Sequence, residues 1–92
     1  MGDTSLCAIS RSAGSVPAAK HLEGRAAALM ALRRALRRGE QLPGPLTTLL
    51  HEWRRALDDV TARDAGADWR AYRAGGLDEL EELADRLADA AR

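Results

Sequence analysis

Leucine and alanine return every third or fourth residue in three separate stretches of this 92-residue chain, and glycine and proline part the stretches. That period matches the turn of an α-helix and not the two-residue alternation of a strand. Composition agrees, since 19 alanines and 14 leucines stand against no phenylalanine and few β-branched residues, a balance that favours helix. A chain of this length builds one modest core, burying roughly 60 to 65% of its unfolded surface. The expected fold is all-α, a small three-helix bundle built on an antiparallel helical hairpin, with a flexible N-terminal arm.

Residues 1–17, with Gly14, four serines and Pro17, show neither period and read as the arm. Residues 18–92 read as a single helical domain with helices over about 18–38, 45–63 and 77–91. In the first helix Leu22, Ala28, Leu29, Leu32, Ala35 and Leu36 project onto one arc, with Arg25 intruding near its start, where its stem packs and its head reaches water. Gly39 is the expected stop. Pro43, Gly44 and Pro45 form a rigid turn, and Pro45 suits the first turn of the second helix. That helix has the cleanest apolar stripe: Leu46, Leu49, Leu50, Trp53, Ala56, Leu57 and Val60. Residues 64–76, with Gly66, Gly75 and Gly76, break the period and read as a structured connector holding one helical turn. The third helix starts at Leu77 or Asp78, with Asp78 and Glu81 spaced as a capping box. Its apolar face is Leu77, Leu80, Leu83, Ala84, Leu87 and Ala91, and Glu82 stands four residues before Arg86 as a local pair.

Net charge is zero, yet the charges are graded along the chain. Residues 1–38 carry seven basic and two acidic groups, a balance of +5, residues 39–63 stand at −1, and residues 64–92 at −4. Such asymmetry suits a basic face for an anionic partner, head-to-tail attraction between copies of the chain, or two merely solvated faces. Arg33, Arg34, Arg37 and Arg38 lie on the other arc of the first helix, Arg33 near its edge, and are the candidate partner- or phosphate-binding cluster, because guanidinium forks bind phosphate and carboxylate bidentately. Two partners are open to them: nucleic acid, or the acids of the third helix in the same or a neighbouring molecule. Those acids, Asp78, Glu81, Glu82, Asp85 and Asp89, form the opposite face of that helix and are a candidate interface. Trp69, Arg70, Tyr72 and Arg73 interleave aromatic and basic side chains, as interface hot spots and base-stacking sites do. Packing is the alternative, with Trp69 and Tyr72 sealing the end of the hairpin.

No catalytic motif is present: no glycine-rich phosphate loop, no nucleophile elbow, no paired Cys or His at ligand spacing. His21 and His51 fall on different helices and read as surface residues. An enzyme, a metal, a cofactor and a small-molecule substrate are therefore not expected. Cys7 is the only cysteine, which excludes an internal disulfide and suits a reducing, cytoplasmic home. Residues 1–12 have neither a basic n-region nor a long apolar run, so no secretory signal or membrane span is expected. Gly2 meets the myristoylation pattern only in part, because Leu6 stands where Ser or Thr is required.

The stretch RAAALMALRRAL over residues 25–36, a short turn, and LLHEWRRALDDV over residues 49–60 resemble the helical hairpin of small terminase subunits from phages of actinobacteria. The resemblance covers residues 22–63, under half of the chain. It implies a non-enzymatic, ring-forming adaptor that holds viral DNA for a packaging motor, with hairpins packed side by side. The chain departs from the family in residues 1–21, where the usual DNA-binding helix-turn-helix is not recognisable, so specific DNA recognition is not carried over. The residues themselves lead to a protein–protein interaction or self-assembly module, with a homo-oligomer or another protein as partner. The alternative is a nucleic-acid-binding adaptor in phage DNA packaging that contacts phosphates through the arginine cluster.

Overall fold

The computed structural model describes residues 16–92, which form three helices: α1 (Val16–Arg37), α2 (Gly44–Ala62) and α3 (Ala67–Ala90). Among the described residues there is no strand. The expected arm lies, over residues 1–15, outside the described residues, and its last two positions belong to α1. Pro17 fits there because the first turn of a helix leaves its N–H groups without partners.

Helix α1 ends as its sequence predicts. Gly39 takes φ +97°, its N–H donates to the Leu36 carbonyl at 3.0 Å, and the Glu40 N–H donates to the Ala35 carbonyl at 3.2 Å. These are the two bonds of a Schellman closure, which ties off otherwise unpaired carbonyls. Helix α2 closes the same way, with Asp64 N–H to Thr61 at 3.1 Å and Ala65 N–H to Val60 at 3.0 Å. Asp64 fills the left-handed position at φ 51°.

The third helix is longer than its sequence predicts. It starts at Ala67, ten residues before Leu77, and the connector shrinks to Arg63–Gly66. No capping box exists at Asp78 and Glu81, which lie in the middle of α3. Gly75 and Gly76 read as a break because each costs a helix about 1 kcal/mol relative to alanine, but packing demands them. A β-carbon on Gly24 would overlap the Tyr72 carbonyl oxygen, one on Gly75 the carbonyl oxygen of His21, and one on Gly76 the ring of Trp53. Gly24 and Gly75 thus bring the backbones of α1 and α3 into direct contact, and Gly76 seats the indole.

The two backbones run in the same direction. Gly75 and Asp78 lie by His21, and one turn further along both helices Glu79 and Glu82 lie by Arg25. The three helices make the predicted bundle, and α3 is its central member: its interface with α1 is the most extensive, α2 packs on it next, and α1 and α2 touch least. The core cluster is Ala28, Leu32, Leu46, Trp53, Leu77 and Leu80. Leu46, Trp53 and Val60 are buried at seven-residue steps along α2, and Leu49, Leu50, Ala56 and Leu57 are partly buried beside them. The predicted stripe of α2 is therefore the face turned inward.

The face of α1 differs from its predicted one. Gly24, Ala28, Leu32 and Ala35 are buried, whereas Leu22 is 66% and Leu36 39% exposed. Close approach of two backbones favours the arc with the smallest side chains, so Gly24, Ala28 and Ala35 turn inward and the leucines at the edge of the predicted arc turn out.

Candidate interaction surfaces

Arg33, Arg34, Arg37 and Arg38 occupy the last turns of α1 and the residue after it, all exposed. Burial of Ala28, Leu32 and Ala35 fixes the rotation of the helix that presents them. Arg38 donates to Glu40 through Nη2 at 2.9 Å and Nε at 3.3 Å. Among the described residues Arg33, Arg34 and Arg37 make no ion pair, in particular none with the acids of α3. Arg34 and Arg38 border an open groove of about 200 Å³ between α1 and α2, with Pro45, Thr48 and Leu49 along it. Glu40 and Glu52 also line it, which offsets the arginine charge there.

Further toward the start of α1, on the same outward side, stand Leu22 at 66% and Met30 at 54% exposure, with Ala26 exposed between them. Leu22, Ala26, Met30, Arg33 and Arg37 follow at steps of four, four, three and four. At about 100° per residue they share roughly 80° of arc. Sequence reasoning missed this apolar half because it assigned Leu22 to the core and left Met30 out. Only knowledge of where α3 touches α1 identifies the inward arc.

The first part of the acidic face of α3, from Asp78 to Glu82, is engaged by the neighbouring helices. Arg25 holds Glu82 in a fork, with Nη2 to Oε1 at 2.8 Å and Nη1 to Oε2 at 3.1 Å, and its Nη2 also lies 3.1 Å from Glu79. Hydrogen bonding and charge from Arg25 hold the Glu82 carboxyl below its ordinary range. Arg54 of α2 donates to Glu81 at 2.6 Å, and His21 Nε2 lies 2.9 Å from Asp78. Glu82 does not pair with Arg86 as its spacing predicts, because Arg25 reaches it from α1. Arg86 instead stands 4.0 Å from Glu79. Asp89 lies 3.8 Å from Arg92, and Asp85 makes no ion pair among the described residues. His21, Arg25 and Arg54 thus bind neighbouring helices to α3, a role that requires the helix register and is not written in any one helix.

The aromatic and basic segment is divided between interior and surface. Tyr72 is half-buried, its ring 5.5 Å from that of Trp53 and 6.1 Å, edge on, from that of Trp69. The Arg73 guanidinium sits 5.0 Å from the Trp53 ring centre and 5.4 Å from that of Tyr72, contacts worth about 0.5 to 2 kcal/mol each. Its Nε is buried without a hydrogen-bond partner. Arg70 reaches back to Asp64 at 3.1 Å, and Trp69 is 55% exposed.

Among the described residues no group of three or more His, Cys, Asp or Glu side chains is placed to hold a metal ion, and no helix is long and apolar enough to cross a membrane. His51 is exposed on α2, away from His21 in the sequence and without an ion pair among the described residues. Comparison with protein-family models, with curated proteins and with solved structures gives no match to this chain.

Proposed function

We propose that this chain is a non-enzymatic protein–protein interaction or self-assembly module. The observation that carries this reading is the outward side of α1, where Leu22 and Met30 stand exposed in line with Arg33 and Arg37, which have no carboxylate partner among the described residues. A side with apolar contact at one end and guanidinium groups at the other fits a protein surface better than water alone. Cytoplasmic residence belongs to the same reading, supported by a single cysteine in the chain. The test is the solution mass of the full chain by light scattering on a sizing column at low and high salt, with and without candidate partners. A chain that stays at 9.9 kDa and associates with no protein under any of these conditions would sink the proposal.

One observation favours a second reading, in which the chain is a nucleic-acid-binding adaptor of phage DNA packaging, as the resemblance to small terminase subunits implies. Arg33, Arg34 and Arg37 are exposed, close in sequence and without an ion pair among the described residues, as phosphate-binding residues are. Binding through three phosphates would show a slope of about −2.7 in log affinity against log salt on duplex DNA, and each Arg→Ala change would remove about one unit of it. Absence of any shift with DNA or RNA at low salt would end this reading.

A further inference from the structure

Resting on the interaction-module reading, we infer that the outward side of α1 docks an acidic amphipathic helix of a different protein, laid along Leu22, Ala26, Met30, Arg33 and Arg37. The steps between these residues average about 3.75, close enough to the helical period for the line to run nearly straight for some four turns. A partner helix lying along it meets two large apolar side chains separated by the small Ala26, which lets it approach closely, and then the guanidinium groups. That is the geometry of helix-on-helix recognition, in which apolar anchors supply contact and flanking charges choose the partner and its direction.

Charge complementarity decides the occupant. Arg33, Arg34 and Arg37 call for carboxylates, and the carboxylates that α3 carries in a row, Asp78, Glu79, Glu81 and Glu82, are already held by His21, Arg25 and Arg54. The acids without an ion pair among the described residues are Glu52 and Asp58 on α2 and Asp68 and Asp85 on α3. Neither pair is three or four residues apart, so neither forms a row along a helix. A second copy of the chain offers only the short row of Asp85 and Asp89, the latter 3.8 Å from Arg92, which falls short of the span from Arg33 to Arg37 and its apolar continuation, so the occupant is a different protein with a longer acidic line. Nucleic acid would satisfy the arginines alone and leave Leu22 and Met30 facing water.

The experiment titrates the full chain into a labelled synthetic helix of about three heptads with a leucine seam flanked by glutamates, followed by fluorescence anisotropy. The same helix with lysine for every glutamate and a DNA duplex of about 20 base pairs serve as competing probes, and light scattering reports the mass of the chain alone. The expected result is binding of the glutamate helix that Met30→Glu weakens at least about tenfold and that the double change Arg33→Glu, Arg37→Glu abolishes. Arg55→Glu, at an exposed arginine of α2 with no ion pair among the described residues, should leave binding within about twofold, and all variants should keep the helical circular dichroism of the parent because the altered side chains are exposed. Equal binding of the lysine helix would overturn the inference. So would a homodimer that Met30→Glu converts to monomer, an outcome that leaves the interaction-module reading standing with a second copy as partner. DNA binding through the same arginines, with no response to the glutamate helix by a monomeric chain, would remove both.

Discussion

Gly75 and His21 meet backbone to backbone: a β-carbon on Gly75 would stand 2.7 Å from the carbonyl carbon of His21 and overlap its oxygen. An exposed helical glycine changed to alanine normally gains about 1 kcal/mol. Here Gly75→Ala is expected to destabilise, because it drives α1 away from α3, and overpacking of this kind costs about 1 to 3 kcal/mol. Thermal unfolding followed by circular dichroism should show a midpoint lower by roughly 4 to 8 °C per kcal/mol lost. A raised midpoint would mean that the two backbones are not in contact.

Trp53 fills the space that Gly76 leaves open, so their substitutions should interact. Trp53→Ala alone is expected to cost about 3 to 5 kcal/mol, the loss of the largest buried side chain in the core. Gly76→Ala pushes on the same ring, and with Trp53→Leu in place that clash is relieved. A double-mutant cycle by urea denaturation should give a coupling of about 0.5 to 3 kcal/mol, in the direction that makes the pair less harmful than the sum. Simple additivity would place the ring elsewhere.

Asp64 holds a left-handed conformation at the close of α2, a position where glycine has no steric penalty. Its carboxylate accepts from Arg70 at 3.1 Å on an exposed surface, where such pairs are worth about 0 to 1 kcal/mol. Asp64→Gly is therefore expected to be neutral to stabilising by up to about 1 kcal/mol, whereas Asp64→Val should destabilise by more than that, since a β-branched residue tolerates positive φ least. The urea midpoint of Asp64→Gly should fall at or above that of the parent, and that of Asp64→Val below it.

Arg25 holds Glu82 below its ordinary 4.5, so the folded carboxyl stays charged at a pH where the unfolded one takes up a proton. The resulting contribution to stability is fully present above 4.5 and is lost as acidification proceeds through the lower folded value. Glu82→Gln should flatten the fall in the urea midpoint between neutral pH and about pH 3. An acid branch identical to that of the parent would remove Glu82 from the linkage.

The helical content, the stripe of α2 and the stop at Gly39 were legible because each rests on neighbours in the chain: large apolar side chains at helical spacing, or one glycine after the last apolar residue. The first half of α3 was hidden by Gly75 and Gly76, whose local preference points to a break and whose tertiary role overrides it. The inward arc of α1 was hidden for the same reason, since apolar bulk points to Leu22 while close approach selects Gly24. The arginine cluster was legible as a basic face. Its apolar continuation through Met30 was not, and neither were the engagements of Glu81 and Glu82, because each depends on which helix lies alongside.

The meeting of Gly24 with Tyr72 and of Gly75 with His21 also acts as a rotational key. Two helices that interlock through main-chain atoms cannot roll about their own axes without collision, unlike pairs separated by pliant side chains. The bearing of Leu22, Met30 and Arg33 is thereby set before any partner arrives. A guest helix finds a rail already aligned, and the ordering cost of association falls mainly on the guest.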